Sequence, residues 1–452
     1  PSYNYRPVAF VDDDPVKQGA KIHGVPVVGS IQNIRRVADR FEVHEILMAI
    51  PSASLALKQR TLAAVEGATV PIKILPSVKQ LLEDPALLHR VRPMSLEDLL
   101  QREPIQTDQQ ELHPLIEGKT VLVTGAGGSI GSELCRQIAQ YRPGVLVLFE
   151  RYENALHALL LELRDAFPGV AVLPIVADVT MPDRVAEVFR QTDPDIVFHA
   201  AAHKHVPLME LNPKEAVRNN VWGTRVMAEA ALASGVDRFV LISTDKAVNP
   251  SSVMGATKRI AEHLIQVISQ RGRTRFTVVR FGNVLGSNGS VVPLFADQIR
   301  KGGPLTVTDP EIKRFFMTIP EAVQLVLQAS VMGQGGEVFV LDMGEQIKIA
   351  DLARNMIVLS GLVPGKDIDI VYTGLRVGEK LYEELFEQGE HVLATSHPKI
   401  NRAVGAPLLA EDFERWIADL QSKLSEGDEE ELLQDLKRIV PNFQPSFPQR
   451  VS

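Results

Sequence analysis

The chain has 452 residues, of which 45% are hydrophobic and 23% charged, and its formal net charge is −8. This length exceeds what one hydrophobic core fills, so we expect two or three domains. The acidic balance argues against a nucleic-acid partner and against binding to an anionic membrane surface, because either would need a basic field.

Cysteine usage and apolar content point to the compartment. The single cysteine, Cys135, cannot form an internal disulfide, and we interpret it as a small core residue. No apolar run reaches the roughly 18 residues of a membrane span, and no secretory signal is recognisable. We therefore expect a soluble, cytoplasmic protein.

Residues 1–92 alternate short apolar stretches with helical patterns. They predict helices over 31–40 and 55–65, and strands over 7–11, 25–28, 45–49 and 72–75. This alternation predicts a small parallel α/β domain. Its first strand looks like the second strand of such a unit, so we expect an incomplete domain that lacks an upstream strand. A polar linker over 93–118 follows.

A glycine-rich turn follows an apolar strand at residue 124 and precedes a helical pattern that includes Ser129 and Ile130. Gly125 permits the tight turn, Gly128 lets the backbone approach a pyrophosphate, and Gly131 lets helix and strand pack closely. Free N–H groups at the helix start face the anion. The motif predicts a dinucleotide site, although glycine turns also join ordinary strands and helices.

From residue 119 the pattern repeats strand and helix through six strands. It predicts a Rossmann-type, doubly wound parallel sheet over 119–285, with its ligand crevice at the carboxyl ends of the strands. Loop-rich residues 286–404 predict a smaller substrate lobe. Residues 405–452 predict a strongly charged helical segment whose charges form a solvated face.

Carboxylates follow the second and third strands of this domain. Glu150 stands where a carboxylate hydrogen-bonds the adenosine ribose and repels a 2′-phosphate, which favours NAD over NADP. Arg151 beside it is an alternative phosphate ligand. Asp178, followed by Val179, is placed either beside the adenine or as a helix cap.

The fourth strand ends in HAAAHKHVPLME. Ala200 and the two alanines after it leave room for a cofactor against the backbone, and Lys204 places a cation near phosphate or ribose. His203 and His205 have no carboxylate or cysteine at ligand spacing, so we predict no metal site.

The fifth strand ends in Thr244, Asp245 and Lys246, and Met254 and Lys258 follow one helical turn apart. Here the sequence resembles the extended short-chain dehydrogenase/reductase family, which pairs a Tyr-x-x-x-Lys helix with a Ser or Thr from strand five. Met254 occupies the tyrosine position, and a thioether cannot take a proton.

Two interpretations of the missing tyrosine remain. In one, the domain is a catalytically silent NAD-binding sensor or scaffold, and Asp245 and Lys246 are an ordinary solvated pair. In the other, the chemistry has moved to Asp245 and Lys246, where desolvation at the mouth of a hydrophobic strand tunes both groups.

The motifs TGAGGSIGSEL, HAAAHKHVPLME, STDKAVNPSSVMGATKR, RFGNVLGSNGSVVPLF and GLRVGEKLYEEL are similar to those of nucleotide-sugar 4,6-dehydratases of the bacterial polysaccharide-biosynthesis group. The likeness runs from about residue 92 to 403. The N-terminal domain resembles that of the long, membrane-anchored members. We therefore expect a full-length protein anchored at the cytoplasmic face of the inner membrane, no membrane contact by these residues, and a homo-oligomer.

The resemblance implies NAD as cofactor, UDP-N-acetylglucosamine as substrate and a 4-keto-6-deoxy sugar as product. It implies that Lys246, with a depressed pKa, takes the C5 proton, and that protonated Asp245 donates to the C6 hydroxyl. Thr244 hydrogen-bonds the C4 oxygen, Lys258 holds the nicotinamide ribose, and Asn219 positions the cofactor.

In the long subgroup a methionine replaces the tyrosine, so Met254 favours retention at C5. For the substrate, the resemblance offers Asn283, Arg314, Arg376 and Glu379, and arginine suits bidentate phosphate contacts. Surface salt bridges are the alternative for both arginines. The alternative activities are a UDP-sugar 4-epimerase, which needs a tyrosine at 254, and the silent NAD-binding sensor.

Overall fold

The computed structural model describes residues 6–50, 53–66, 70–75, 92–99, 109–405, 410–426 and 428–444. Residues 100–108 of the predicted linker and 445–452 of the predicted C-terminal segment lie outside the described residues. The smaller of two compact units consists of Pro1–Glu103, Gly289–Ile312 and Ile347–Gly374, and the larger consists of Pro104–Asn288, Lys313–Gln346 and Leu375–Ser452.

The strands are β1 (Lys21–Ile22), β2 (Val25–Pro26), β3 (Ile46–Met48), β4 (Ile72–Ile74), β5 (Arg92–Pro93), β6 (Thr120–Thr124), β7 (Val145–Glu150), β8 (Val172–Val176), β9 (Ile196–His199), β10 (Arg238–Thr244), β11 (Arg275–Phe281), β12 (Asn283–Val284), β13 (Leu305–Val307), β14 (Lys313–Arg314), β15 (Phe316–Met317), β16 (Glu337–Leu341), β17 (Ile347–Lys348), β18 (Ile370–Tyr372), β19 (His391–Ala394) and β20 (Ile400–Val404).

The α-helices are α1 (Ile34–Arg40), α2 (Leu55–Val65), α3 (Gln109–Ile116), α4 (Ser129–Gln140), α5 (Glu153–Ala166), α6 (Pro182–Thr192), α7 (Val206–Glu210), α8 (Pro213–Val217), α9 (Gly223–Ala233), α10 (Val253–Ile268), α11 (Val291–Arg300), α12 (Ile319–Met332), α13 (Ile349–Leu359), α14 (Ala410–Glu426) and α15 (Glu429–Ile439). A π-helical turn, Arg218–Trp222, joins α8 to α9. Within the described residues, no helix combines the length and the apolar character that crossing a membrane requires.

The smaller unit contains a short mixed sheet in which β3 and β4 are parallel and β5 is antiparallel to β4. Ser54 caps α2 by accepting a hydrogen bond from the backbone N–H of Leu57 at 3.3 Å. The predicted α/β character is confirmed. Over residues 7–11, where a strand was predicted, the structure has a single bridge between Phe10 and Val27.

The larger unit is built on a nine-stranded sheet with the order β19-β20-β16-β11-β10-β9-β6-β7-β8. Six neighbouring strands of this sheet, in the order β11-β10-β9-β6-β7-β8, have the arrangement of a doubly wound dinucleotide fold. This arrangement confirms the predicted Rossmann-type sheet. The strand order reverses between β6 and β9, which are parallel neighbours whose last residues, Thr124 and His199, lie opposite each other. A ligand crevice is expected at this point.

Three later strands extend the same sheet. β16 is parallel to β11, and β20 and β19 continue it as antiparallel neighbours. The predicted boundary at residue 286 therefore does not separate a lobe from the sheet, because buried β16 completes its hydrophobic core. Two segments of the predicted lobe, Gly289–Ile312 and Ile347–Gly374, belong to the smaller unit.

Both faces of the sheet carry a hydrophobic core. One face packs on α3, α4, α5 and α12, and the other packs on α6, α9, α10 and the C-terminal helices. The predicted linker thus contains a helix, α3, in which Leu112 and Ile116 are fully buried. The charged C-terminal helices are also more than a solvated face, since Phe413 and Leu420 of α14 are buried in the core.

Candidate active site

The glycine turn after β6 is too crowded for larger residues. Gly125 has a φ of +62°, and a Cβ there would lie 2.8 Å from the Cα of Ala201. A Cβ on Gly131 would lie 2.0 Å from the carbonyl oxygen of Gly125. Gly128 precedes α4 in an extended conformation, and no side chain of the described residues caps this helix start. The backbone N–H groups therefore remain available to an anion.

An open crevice of about 440 Å³ lies along this turn. Its lining includes most residues predicted to bind the cofactor: Gly125, Gly128, Glu150, Arg151, Asp178, Val179, Ala200 and Asn219. Tyr152, Ala155, Ala201 and Ala202 also line it. The crevice therefore lies at the carboxyl ends of β6, β7, β8 and β9, where a dinucleotide binds in this fold.

The Glu150 carboxylate is fixed at the end of β7. It accepts hydrogen bonds from the backbone N–H groups of Gly127 at 3.1 Å and of Arg151 and Tyr152 at 2.9 Å each. A carboxylate held there fits a ribose diol and repels a 2′-phosphate. Asp178 accepts from Thr180 N–H at 2.9 Å, so it caps its own turn and also lines the crevice.

Other predicted cofactor residues lie around the turn rather than in the crevice lining. Ser129 and Ile130 form the first turn of α4, and the Ser129 hydroxyl accepts a hydrogen bond from Asn288 N–H at 3.2 Å. Lys204 has no hydrogen bond or ion pair with a described residue. Burial, followed by the charge of Lys246, lowers the pKa of Lys204.

The π-helical turn carries two buried asparagines. Asn219 lines the crevice, and its amide donates to the Asn220 side chain at 3.1 Å. Asn220 accepts from the backbone N–H of His203 at 2.8 Å and donates to the hydroxyl of Thr257 at 3.1 Å. The turn therefore fixes the loop after β9 against α10.

His199, at the end of β9, is a buried structural residue that sequence analysis did not single out. Its Nδ1 lies 2.8 Å from the Thr124 hydroxyl and its Nε2 lies 3.1 Å from the Thr224 hydroxyl. Burial, followed by the charge of Lys258, lowers the pKa of His199 to about 3. The imidazole is therefore neutral and joins β6 to α9.

The predicted catalytic residues meet at the end of β10. The Thr244 hydroxyl donates to Asp245 Oδ1 at 2.9 Å, and Lys246 Nζ lies 3.0 Å from the same oxygen. Lys246 Nζ also donates to Asn283 Oδ1 at 3.1 Å. Asp245 is fully buried, and its Oδ2 has no hydrogen-bond partner among the described residues. The pair is not a solvated surface pair.

The protonation of Lys246 differs from the expectation. Burial lowers the pKa of Lys246, but the negative charges of Asp245 and Glu383 outweigh it, and the net pKa lies above the ordinary lysine value. The sequence-based prediction of a depressed pKa for Lys246 took only its burial into account and not these two negative charges. In this arrangement Lys246 is an ammonium ion.

Met254 and Lys258 lie in the first two turns of α10, and both are buried. The Met254 side chain belongs to the hydrophobic core. Lys258 Nζ donates to the carbonyl oxygen of Ile242 at 2.7 Å, two residues before Thr244. Burial lowers the pKa of Lys258 to about 8, although the charge of Glu262 opposes this.

A second, smaller cavity of about 100 Å³ adjoins the catalytic pair. Lys246 lines it together with the predicted substrate residues Arg314, Arg376 and Glu379. Val206 and Pro207 line it too, directly after His205 of the first crevice, so the two cavities share this segment.

Arg314 is 8% exposed and holds the loop that follows Arg376. Its guanidinium donates to the carbonyl oxygens of Lys380 at 2.7 Å and Leu381 at 3.3 Å. Glu379 closes the same loop by accepting from the backbone N–H of Arg376 at 3.2 Å. Arg314 therefore shapes the wall of the cavity, whereas exposed Arg376 presents its charge at the rim.

A buried ion-pair network joins β10, α10 and β11, and sequence analysis did not find it. We call Arg280, Glu262, Arg259 and Glu390 the Arg280 network. Arg280 Nη2 lies 2.8 Å from Glu262 Oε2, and Arg280 Nη1 lies 3.0 Å from Glu390 Oε2. Arg259 Nη1 contacts the same two carboxylates at 3.0 and 3.1 Å.

The Arg280 network reaches the catalytic strand through Ser243, whose hydroxyl donates to Glu262 Oε1 at 2.6 Å. Ser243 directly precedes Thr244, and Glu262 is one helical turn from Lys258. The network therefore positions residues on both sides of the site. Among the described residues, no group of three His, Cys, Asp or Glu side chains is arranged to hold a metal ion.

Comparison with known proteins agrees with this geometry. Residues 121–404 match the family model described as polysaccharide biosynthesis protein, and residues 1–76 match that of a CoA-binding domain. The chain is 48% identical over 427 residues to the probable polysaccharide biosynthesis protein EpsC of Bacillus subtilis, covering 92% of this chain and 71% of that protein. It is 35% identical over 274 residues to an inverting UDP-N-acetylglucosamine 4,6-dehydratase of Campylobacter jejuni, covering 60% and 78%.

Solved structures show the same likeness. The X-ray structure of Pen from Bacillus thuringiensis matches with a TM-score of 0.60 at 34% identity, over 67% of this chain and 98% of that one. DesIV from Streptomyces venezuelae, a dTDP-glucose 4,6-dehydratase solved with NAD, has a similar fold at a TM-score of 0.52 and 22% identity, over 59% of this chain and 87% of that one. The chain therefore belongs to the polysaccharide biosynthesis protein family, within the nucleotide-sugar dehydratases and epimerases of the extended short-chain dehydrogenase/reductase group.

Proposed function

We propose that the protein is a UDP-N-acetylglucosamine 4,6-dehydratase that retains the configuration at C5. The observation that carries the proposal is the contact between fully buried Asp245 and partly buried Lys246, beside a helix on which Met254 replaces the usual tyrosine. A carboxylate and an amine in contact are the acid and base that removal of water across C5 and C6 requires. The relative from Campylobacter jejuni, named for this substrate, supports the sugar nucleotide.

The cofactor is NAD, and the crevice fits it. The glycine turn leaves no space for a Cβ on Gly131, the start of α4 offers free backbone N–H groups, and Glu150 is held where an adenosine ribose binds. The chemistry that NAD supplies here is removal of a hydride from C4 of the sugar and its return at C6. Lys258 and Asn219 hold the cofactor on the side of α10 and the π-helical turn.

The Asp245–Lys246 contact explains how a protonated lysine can serve as the base. A proton shift over 3.0 Å from Lys246 to Asp245 Oδ1 yields a neutral amine and a carboxylic acid, without exchange with solvent. The amine then takes the C5 proton once a C4 ketone has acidified it. The C6–O bond breaks as Asp245 donates its proton to the departing oxygen. Lys246 then gives a proton back to C5 as the hydride returns at C6, and the proton released from the C4 hydroxyl on formation of the ketone restores the Asp245–Lys246 pair.

The substrate contacts follow from the second cavity. In this proposal the Thr244 hydroxyl, which donates to Asp245 in the structure, contacts the C4 oxygen of the sugar. Arg376 at the rim offers a guanidinium to the diphosphate, and Arg314 holds the loop that carries it. Asn283 steadies Lys246 at 3.1 Å.

The test is incubation of the purified chain with UDP-N-acetylglucosamine and NAD in deuterated water, followed by mass spectrometry and NMR. We expect loss of one water and one deuteron at C5 with unchanged configuration. Asp245→Asn and Lys246→Met should lose turnover and keep NAD binding. Lys119→Met, which removes the cation of an exposed pair with Asp195, is the matched control.

Other outcomes identify the alternatives. An unchanged mass with a new epimer would indicate a UDP-sugar 4-epimerase, an activity that also occurs in the names of relatives from Rickettsia. Bound NAD without any product would indicate a silent sensor. Full turnover in both the Asp245→Asn and the Lys246→Met variant would refute the roles given to these residues.

A further inference from the structure

Lys246 is held from more than one side. Asp245, at the end of β10, contributes Oδ1 at 3.0 Å, and Glu383, in the segment after Arg376, contributes Oε1 at 3.6 Å from Lys246 Nζ. Asn283 of β12 adds a neutral oxygen. Glu383 is 5% exposed, and it is neither the acid nor the base of the proposed reaction.

Glu383 is built into the cavity. Its Oε1 lies 3.7 Å from Arg314 Nε, and its backbone carbonyl accepts from the Gln346 amide at 2.6 Å. Its Oε2 is buried without a hydrogen-bond partner in the described part of the chain, as is Asp245 Oδ2. The Lys246 ammonium therefore lies between two carboxylates, each with one unpaired oxygen.

We propose that Glu383 is a positioning residue of the reaction centre, whose carboxylate keeps one proton in the Asp245–Lys246 pair. This inference rests on the proposed dehydratase function. The elimination needs a proton for the C6 oxygen, and the pair delivers that proton only while it holds one. Glu383 supplies the second negative charge that retains it.

A comparison within the protein shows what such a charge does. Lys258 is buried, its Nζ donates a hydrogen bond to a carbonyl oxygen, and its pKa falls to about 8. The Lys246 side chain is 20% exposed, and its pKa rises, because Asp245 and Glu383 face it directly. Without Glu383, Asp245 alone would oppose both burial and the positive charge of Arg314 on β14.

The remaining charges around Lys246 do not change this argument. Arg314 Nε lies 3.7 Å from Glu383 Oε1, the same oxygen that faces Lys246, and the charge of Arg314 lowers the pKa of Lys246. Lys204, after β9, is the other cation whose charge couples to Lys246. Both cations favour loss of the proton, so the two carboxylates must hold it against them.

The placement also connects proton retention to the substrate loop. Arg314 fixes the carbonyl oxygens of Lys380 and Leu381, and Glu383 follows two residues later. The loop that carries Arg376, held in this position by Arg314, therefore also brings the Glu383 carboxylate to Lys246. The same short segment therefore carries both Arg376, the proposed diphosphate ligand, and Glu383, which retains the proton.

The experiment measures the protonation of Lys246 without using turnover. The 452-residue chain is labelled with acetic anhydride at a series of pH values, and the labelled fraction of Lys246 is read from peptides by mass spectrometry. In Glu383→Gln, the pH of half-maximal labelling should fall by at least about one unit, as expected for loss of an opposite charge at this distance. Glu384→Gln is the matched control, because Glu384 is an exposed neighbour that contacts Asn249 and Lys380.

The other lysines of each digest report whether the variant is folded. A second variant, Glu383→Asp, draws the charge back by one methylene and should give a smaller shift in the same direction. Equal labelling midpoints for Lys246 in wild type, Glu383→Gln and Glu383→Asp would overturn the proposal.

Turnover assays separate this inference from the proposed function. If the chain dehydrates UDP-N-acetylglucosamine, the basic limb of the kcat–pH profile should move to lower pH in Glu383→Gln and stay in place in Glu384→Gln. If the labelling midpoint of Lys246 shifts in Glu383→Gln but neither the wild type nor any variant turns over the substrate, the proposed dehydratase function is refuted. The effect of the Glu383 charge on Lys246 then still stands. Turnover with an unmoved midpoint would refute the role of Glu383 alone.

Discussion

Replacing Arg280 by methionine should strongly destabilise the larger unit. Arg280 is fully buried between Glu262 and Glu390, and methionine keeps much of its length while removing the charge and all five donors. Arg259 would then be the one remaining cation of the Arg280 network. Two buried carboxylates would be left facing a single guanidinium.

The magnitude follows from Glu262 itself. Burial raises the pKa of Glu262, but the charge and hydrogen bonds of Arg280, with help from Arg259 and Ser243, lower it from an ordinary 4.5 to about 2. That shift corresponds to about 3 kcal/mol at 1.36 kcal/mol per pKa unit. Removing one partner of a buried pair costs about 3 to 5 kcal/mol. Both routes predict a loss of about 3 kcal/mol or more for Arg280→Met.

The assay is urea unfolding at pH 7, followed by tryptophan fluorescence. Both tryptophans, Trp222 and Trp416, lie in the larger unit, so the signal reports the unit that contains Arg280. Arg136→Met is the matched control, since Arg136 pairs with Glu162 at a half-exposed position and should cost at most about 1 kcal/mol.

Two further measurements complete the test. The double variant Arg280→Met, Glu262→Gln should recover part of the loss, because a buried amide needs no counter-charge. In the wild type, the stabilisation from Glu262 is fully present above pH 4.5 and disappears as the pH falls towards 2, because the folded pKa is the lower one. A loss for Arg280→Met no larger than that for Arg136→Met would refute the reasoning.

Two predictions concern other parts of the larger unit. Gly131→Ala should weaken NAD binding at least about tenfold by calorimetry, because its Cβ would lie 2.0 Å from the Gly125 carbonyl oxygen, whereas Gly169→Ala, with open space, should bind normally; equal affinities would contradict the crowded turn. Phe413→Ala should cost about 3 to 5 kcal/mol in urea unfolding and Leu161→Ala, 54% exposed, less than about 1; a small loss at Phe413 would show that α14 contributes little to the core.

The central sheet was predictable because its strands are continuous apolar runs with helical patterns between them. The strands after residue 286 were not recognised as part of it, because β16 is separated from β11 by more than 50 residues of loops and short elements. Pairing between distant strands leaves no local pattern. The C-terminal helices were misjudged for another reason, since their charges are frequent and the apolar stripe of Phe413, Ile417 and Leu420 was not weighed.

For the site, residues within one motif were predictable and residues that act across motifs were not. Glu150 and the glycines follow their strands directly, so sequence position alone places them in the crevice. The protonation of Lys246 depends on Glu383, which lies 137 residues later and meets it only in the folded chain. Burial was foreseen for Lys246, but the second carboxylate was not.

The π-helical turn Arg218–Trp222 allows the helical segment formed by α8 and α9 to accommodate a change in length. Inserting one residue into a packed α-helix rotates every later side chain by about 100°. A π turn absorbs one extra residue locally, so that the buried side chains of α9 keep their places. Two adjacent asparagines, Asn219 and Asn220, thereby serve the crevice and the neighbouring loop at once. Gain or loss of a single codon at this turn can therefore change the binding site while the core behind it is inherited unaltered.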